Sequence, residues 1–132
     1  MKKLFYFLIF GLCLSLESCD YARIIPLEIV NQTSMPVEVC YSRIHTIYSD
    51  DSVACDTTRY KVATGTNLKT DFWVWWGGRK TLSKQIPFFE FKTPTRSVRF
   101  EGRDEVIKVF DKYNKSEDTY NFVISDSLFN NK

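Results

Sequence analysis

Ile25-Pro26-Leu27-Glu28-Ile29-Val30 is followed by Asn31-Gln32-Thr33-Ser34 and then by Met35-Pro36-Val37-Glu38-Val39-Cys40-Tyr41. Apolar residues occupy every second position, 25, 27 and 29 in the first arm and 37, 39 and 41 in the second. A period of two marks a strand with one face on a core. The polar run between the arms is a turn cluster, so the stretch predicts two strands joined as a β-hairpin. Pro26 and Pro36 fall near strand starts, where a missing N–H is tolerated.

The same period recurs downstream. Thr58, Tyr60 and Val62 form a third alternating set, and Gly65-Thr66-Asn67 is a turn. Residues 70–76 (TDFWVWW) read as the strongest strand, apolar on both faces and ended by Gly77-Gly78. Residues 85–91 read as a strand interrupted by Pro87, which suits an edge or a bulge. Val98 and Phe100 share one face of the next strand. Residues 104–113 fit two patterns: Val106, Val109, Phe110 and Tyr113 make a helical stripe, while Ile107 and Val109 alternate as in a strand. A hairpin with 97–101 favours the strand. Tyr120, Phe122 and Ile124 share a face of the last one. Seven to eight short strands at 8–14-residue spacing predict an all-β fold. The expected form is a single antiparallel β-sandwich, Ig-like or transthyretin-like, with a small barrel as the second choice.

The N-terminus has a different character. Lys2 and Lys3 precede an apolar run over 4–16, which suits a signal-peptide core and is short for a membrane span of about 20 residues. Leu16-Glu17-Ser18-Cys19 then reads as a bacterial lipobox. In this reading residues 1–18 are a lipoprotein signal peptide and Cys19 carries the acyl chains, such as palmitate. Residues 19–23 are a short tether, 24–125 the sandwich and 126–132 a frayed polar tail. Several acyl chains anchor stably, at about 0.8 kcal/mol per buried methylene. Loss of 1–18 leaves 16 basic and 15 acidic groups, a balance that gives no electrostatic reason to bind nucleic acid.

The leader with Leu16-Glu17-Ser18-Cys19, followed by Ile29-Val30-Asn31-Gln32-Thr33-Ser34 and Val37-Glu38-Val39, resembles small uncharacterised lipoproteins of Bacteroidetes. The resemblance covers residues 1–42 and is generic. It implies a lipid-anchored cell-envelope location and a β-rich fold, with no activity to carry over. Asp20, offset by Arg23, is a poor match to the acidic cluster of surface-exported relatives, which favours the periplasmic face.

Cys40 and Cys55 remain once Cys13 leaves and Cys19 is acylated. In an oxidising compartment the favoured reading is a disulfide closing a loop of about 15 residues, with two buried free thiols as the alternative. A redox pair lacks its usual Cys-x-x-Cys turn.

No catalytic motif, metal-ligand spacing or cofactor signature occurs in the chain. His45 reads as an ordinary histidine, and Asp50, Asp51 and Asp56 read as a solvated loop, not a metal site. Phe72-Trp73-Val74-Trp75-Trp76 is the sharpest candidate. Trp73 and Trp75 share one strand face, about 6–7 Å apart. Either both faces of this strand are covered, or Trp73, Trp75 and Arg79 form a binding platform for an envelope protein or a glycan. Asp51-Ser52-Val53, Asp56-Thr57-Thr58 and Asp126-Ser127-Leu128 resemble Bacteroidetes O-glycosylation sites. Ser52, Thr57 and Ser127 are therefore modification candidates in expected loops or tail. The expected function is a non-catalytic protein-interaction module, with a glycan-binding module as the alternative.

Overall fold

The two arms around Asn31 do not pair with each other. In a computed structural model, which describes residues 23–47, 53–74 and 78–130, they belong to different sheets. β1 (Arg23–Asn31) lies between β4 (Asn67–Val74) and β8 (Thr119–Ile124), and β7 (Tyr113–Asn114) completes that sheet. β2 (Val37–Ile47) lies between β3 (Val53–Val62) and β5 (Phe88–Lys92), and β6 (Ser97–Glu101) completes the second. The expected hairpin at 25–41 is thus an arch that carries the chain from one sheet to the other.

Asn31 explains the arch. It is fully buried, and its side chain donates from Nδ2 to Met35 O and Val62 O, both at 2.9 Å. Its Oδ1 accepts from the Thr33 backbone N–H at 2.9 Å and from Thr33 Oγ1 at 2.7 Å. Its backbone N–H reaches Thr66 O at 2.9 Å, and its carbonyl accepts from Gly65 N at 2.8 Å. Gly65, at φ 73°, supplies the left-handed turn that brings this N–H round. A side chain that ties the 33–35 turn to Val62 of β3 bends the chain out of the plane of β1.

With the arms in facing sheets, their alternating faces meet across the core. Ile25, Leu27 and Ile29 look across at Val37, Val39 and Tyr41, all buried. Aromatic rings fill the space between. Tyr41, Phe72 and Phe89 pack with centroids 5.1–6.1 Å apart. Phe91 stacks on Phe122 at 5.0 Å, and Phe100 meets both edge-on.

Further expectations need correction. The first sheet is mixed, because β8 runs parallel to β1, pairing Leu27 with Tyr120 through Asn31 with Ile124. The segment after Gly102 is helical: α2 (Arg103–Val106) passes into a 3-10 turn, Ile107–Phe110. Its stripe decides this, since Val106, Val109 and Phe110 are all fully buried, an i, i+3, i+4 set that a strand would split between faces. The tail is not frayed throughout, because Asp126–Phe129 forms a 3-10 turn that buries Phe129. A further helix, α1 (Arg79–Gln85), goes beyond the strand pattern and buries Leu82, with Ile86 just after it. Pro87 falls between α1 and β5, so β5 is an uninterrupted interior strand.

The sandwich therefore has two unlike ends. The end where β1 starts is closed by α1, α2 and Phe110, whose ring lies 5.6 Å from Phe72 and 5.8 Å from Phe89. The far end is closed by the Asn31 arch, the 63–66 turn and Phe129.

Candidate interaction surface

β4 alternates as a half-buried strand should. Phe72 and Val74 enter the core, and Trp73 points outward with 51% of its surface exposed. Full burial of this strand is therefore ruled out at Trp73. Its cross-strand neighbour is Ile24, which is 45% exposed. Residues paired in this way hold their Cβ atoms about 5 Å apart, so the two side chains make one apolar surface. β4 is a sheet edge, and Arg43 from β2 donates to the Trp73 carbonyl, so part of the edge backbone is occupied from the other sheet.

Arg79 is the first residue of α1. It donates from Nη1 to Phe110 O at 3.1 Å and to Asp111 Oδ1 at 3.2 Å, which fixes it on the helical plug. From there it lines a small cleft of about 40 Å³ with Arg23, Ile24, Tyr113 and Asp118. The structure thus brings Arg79 to Ile24, and Ile24 to Trp73. Tyr113 donates its hydroxyl to Asp118, and this hydrogen bond, then burial, raises its pKa above the usual phenol value. Asp118 adopts φ 49°, a left-handed position that Asp tolerates.

The outer face of the second sheet is polar. Lys61, Glu38 and Lys92 line up across β3, β2 and β5, and Arg59, Cys40, Glu90 and Arg99 form the next row. Arg99 also lies over the Phe88 ring at 3.9 Å. Cys40 is buried in this row against Arg59, whose pKa is raised by a hydrogen bond to Cys40 and by the nearby charge of Glu38.

The disulfide expectation is overturned. Cys40 and Cys55 are both free, one buried and one exposed. Cys40 pairs with Arg59 and Cys55 with Ile44. That offset of four residues along β3 is about 13 Å, whereas bridged Cα atoms lie within about 7 Å.

Thr57 is exposed but sits inside β3, not in a loop, and Asp56 is a strand residue opposite Arg43. Ser127 is exposed on the C-terminal 3-10 turn, with Ser125 Oγ at 2.8 Å. Cys19, Asp50, Asp51, Ser52 and Trp75 lie outside the described residues, as does the side chain of His45. Among the described residues, no cluster of His, Cys, Asp and Glu is able to hold a metal ion, and no helix is long and apolar enough to cross a membrane. Sequence reasoning missed Ile24 as the companion of Trp73. Ile24 falls on the outward phase of the β1 alternation, and that was the available signal.

Two clefts flank Thr93 at the far end. One, of about 350 Å³, is lined by Pro36, Val37, Glu38, Lys61, Lys92 and Pro94. The other, of about 280 Å³, is lined by Met35, Arg96, Asp126 and Phe129 among others.

No family model matches the chain, and comparison with curated proteins and with solved structures finds no match.

Proposed function

We propose that this chain is a lipid-anchored protein of the cell envelope, held by acyl chains on Cys19 and facing the periplasm. In this reading its sandwich is a non-catalytic protein-interaction module. The observation that carries the proposal is β3. It is a ten-residue strand at a sheet edge, and among the described residues it pairs with β2 alone. Its residues 55–57 and 59–61 are exposed. An unpaired edge of that length is a template for an added strand from another chain. Arg59 and Lys61 on its outward faces repel an identical basic edge and suit an extended segment with acidic side chains. The other edges offer less: β6 has five residues, β7 has two, and β4 is partly occupied by Arg43.

The second reading is glycan binding, favoured by the exposed Trp73 ring, since sugars stack on such flat apolar surfaces. Within sandwiches, the finer reading is the transthyretin-like arrangement over the Ig-like one. Support comes from the division into two four-stranded sheets and from β1, which is interior here, whereas the first strand of an Ig constant domain lies at an edge.

Two experiments test this. Cys19→Ala should abolish acyl labelling and release the protein from membranes, and unchanged retention contradicts the anchor. A photocrosslinker at Thr57 in native cells should capture one dominant protein, and Arg59→Glu with Lys61→Glu should abolish capture. Equal capture from a control crosslinker at Lys115, on the other sheet's side, contradicts the β3 edge as the contact.

A further inference from the structure

Of the five exposed large hydrophobic residues among those described, Ile24 and Trp73 sit side by side on the outer face of the first sheet, at the end where β1 starts. Tyr113 lines a cleft with Ile24 but is in register with Leu27 on the sheet's other face; Tyr60 and Val123 are elsewhere. Ile24 is the second residue of β1, Trp73 is paired with it, and Tyr113 shares a cleft with it. Arg23 and Arg79 line the same cleft.

Chain length says what this end faces. Cys19 stands four residues before Arg23, where β1 begins. At about 3.5 Å per residue a fully extended link spans about 14 Å. With Cys19 acylated, the start of β1 is therefore held within about 14 Å of the lipid headgroups. A link this short keeps the face close to the bilayer, which favours the lipid surface over the glycan reading. Trp and Tyr concentrate at the membrane–water boundary, where an apolar ring with a polar tip matches both sides. Arginine is suited to pairing with the phosphates there.

We infer that the Ile24–Trp73 end of the sandwich docks on the phospholipid headgroup layer, with Tyr113, Arg23 and Arg79 beside it. The lipid surface is thus the ligand of this face, and the domain lies against its membrane in one orientation. Docking rests on the lipid-anchor reading above. It leaves β3 and the far end to protein partners.

The test uses the acylated full chain in vesicles of phosphatidylcholine with about one-fifth phosphatidylglycerol, with and without bromine on the acyl chains. Subtracting the emission of Trp73→Phe isolates Trp73, and an unchanged thermal melt shows that this variant is folded. Docking predicts that brominated lipid removes about half or more of the Trp73 emission. It also predicts that Ile24→Glu restores most of that emission. Equal Trp73 emission in both kinds of vesicle, from protein that carries acyl chains and floats with the lipid, overturns docking and leaves the anchor standing. Protein without acyl chains overturns the anchor, and with it the tether on which docking depends.

Discussion

The two ends of this sandwich break opposite rules of burial. The far end buries a polar side chain, Asn31, and satisfies every polar group it brings in. The β1-start end exposes apolar ones, Ile24 and Trp73, on a small domain with other apolar surface to hide. A buried amide is affordable only where its partners are supplied by the fold, so Asn31 serves structure. Exposed Trp and Ile side by side add nothing to folding that burial elsewhere would not add better. In the docking proposal, they meet the lipid surface outside the chain.

That contrast makes mutational predictions that differ by end. Asn31→Ala removes both donors and the acceptor, and takes the Asn31 hydrogen bonds from Val62 O, Met35 O and the Thr33 N–H. Met35 O keeps its hydrogen bond from Thr33 Oγ1, so the cost falls mainly on Val62 O and the Thr33 groups, and a loss of about 2–3 kcal/mol is expected in denaturant unfolding. A loss below about 0.5 kcal/mol would mean that the arch is not organised by this side chain.

Tyr41 gives a pH-dependent version. It is buried between the sheets with its hydroxyl 3.4 Å from Thr70 Oγ1, and burial, only partly offset by that hydrogen bond, raises its pKa above 10. The folded state thus favours the neutral phenol. Its contribution is fully present below pH 10 and is lost as pH rises through the higher folded value. Alkaline unfolding is expected to shift to higher pH in Tyr41→Phe. An identical alkaline limb in both proteins would remove Tyr41 as the cause.

The cysteines make a smaller prediction. Without a bridge, adding a reductant should leave the melting temperature unchanged. Cys55 should react with a thiol reagent in the native protein, and Cys40 only on unfolding. A drop on reduction matching about 3 kcal/mol, the worth of a 15-residue loop, would restore the disulfide.

The smallest stability effect is expected where the functional effect is largest. Trp73→Ser and Ile24→Ser, at the exposed end, should each change stability by less than about 0.5 kcal/mol. A larger cost would mean that these side chains pack on something that belongs to the fold.

The sequence carried much of this, unevenly. Alternation assigned the inner faces of β1, β2, β6 and β8 correctly, because a period of two depends only on which side meets the core. It does not say which strand lies alongside. That is why 25–41 reads as a hairpin and folds as an arch, and why the parallel pairing of β1 with β8, some 93 residues apart, left no local mark. The helical turn at 103–110 was ambiguous because a short apolar run fits either period. Trp73 stood out by residue type. Its neighbour Ile24 did not, because it reaches Trp73 through strand register.

The polarity of the two ends is tested most directly by hydroxyl-radical footprinting. The acylated protein on vesicles is compared with the unlipidated Cys19→Ser form in solution. Trp73 and Tyr113 should lose most of their labelling on the membrane, while Tyr60 and the far-end Met35 keep theirs. Equal labelling of Trp73 in both forms, or protection centred on Met35, would contradict a domain that rests on its membrane by the start of β1.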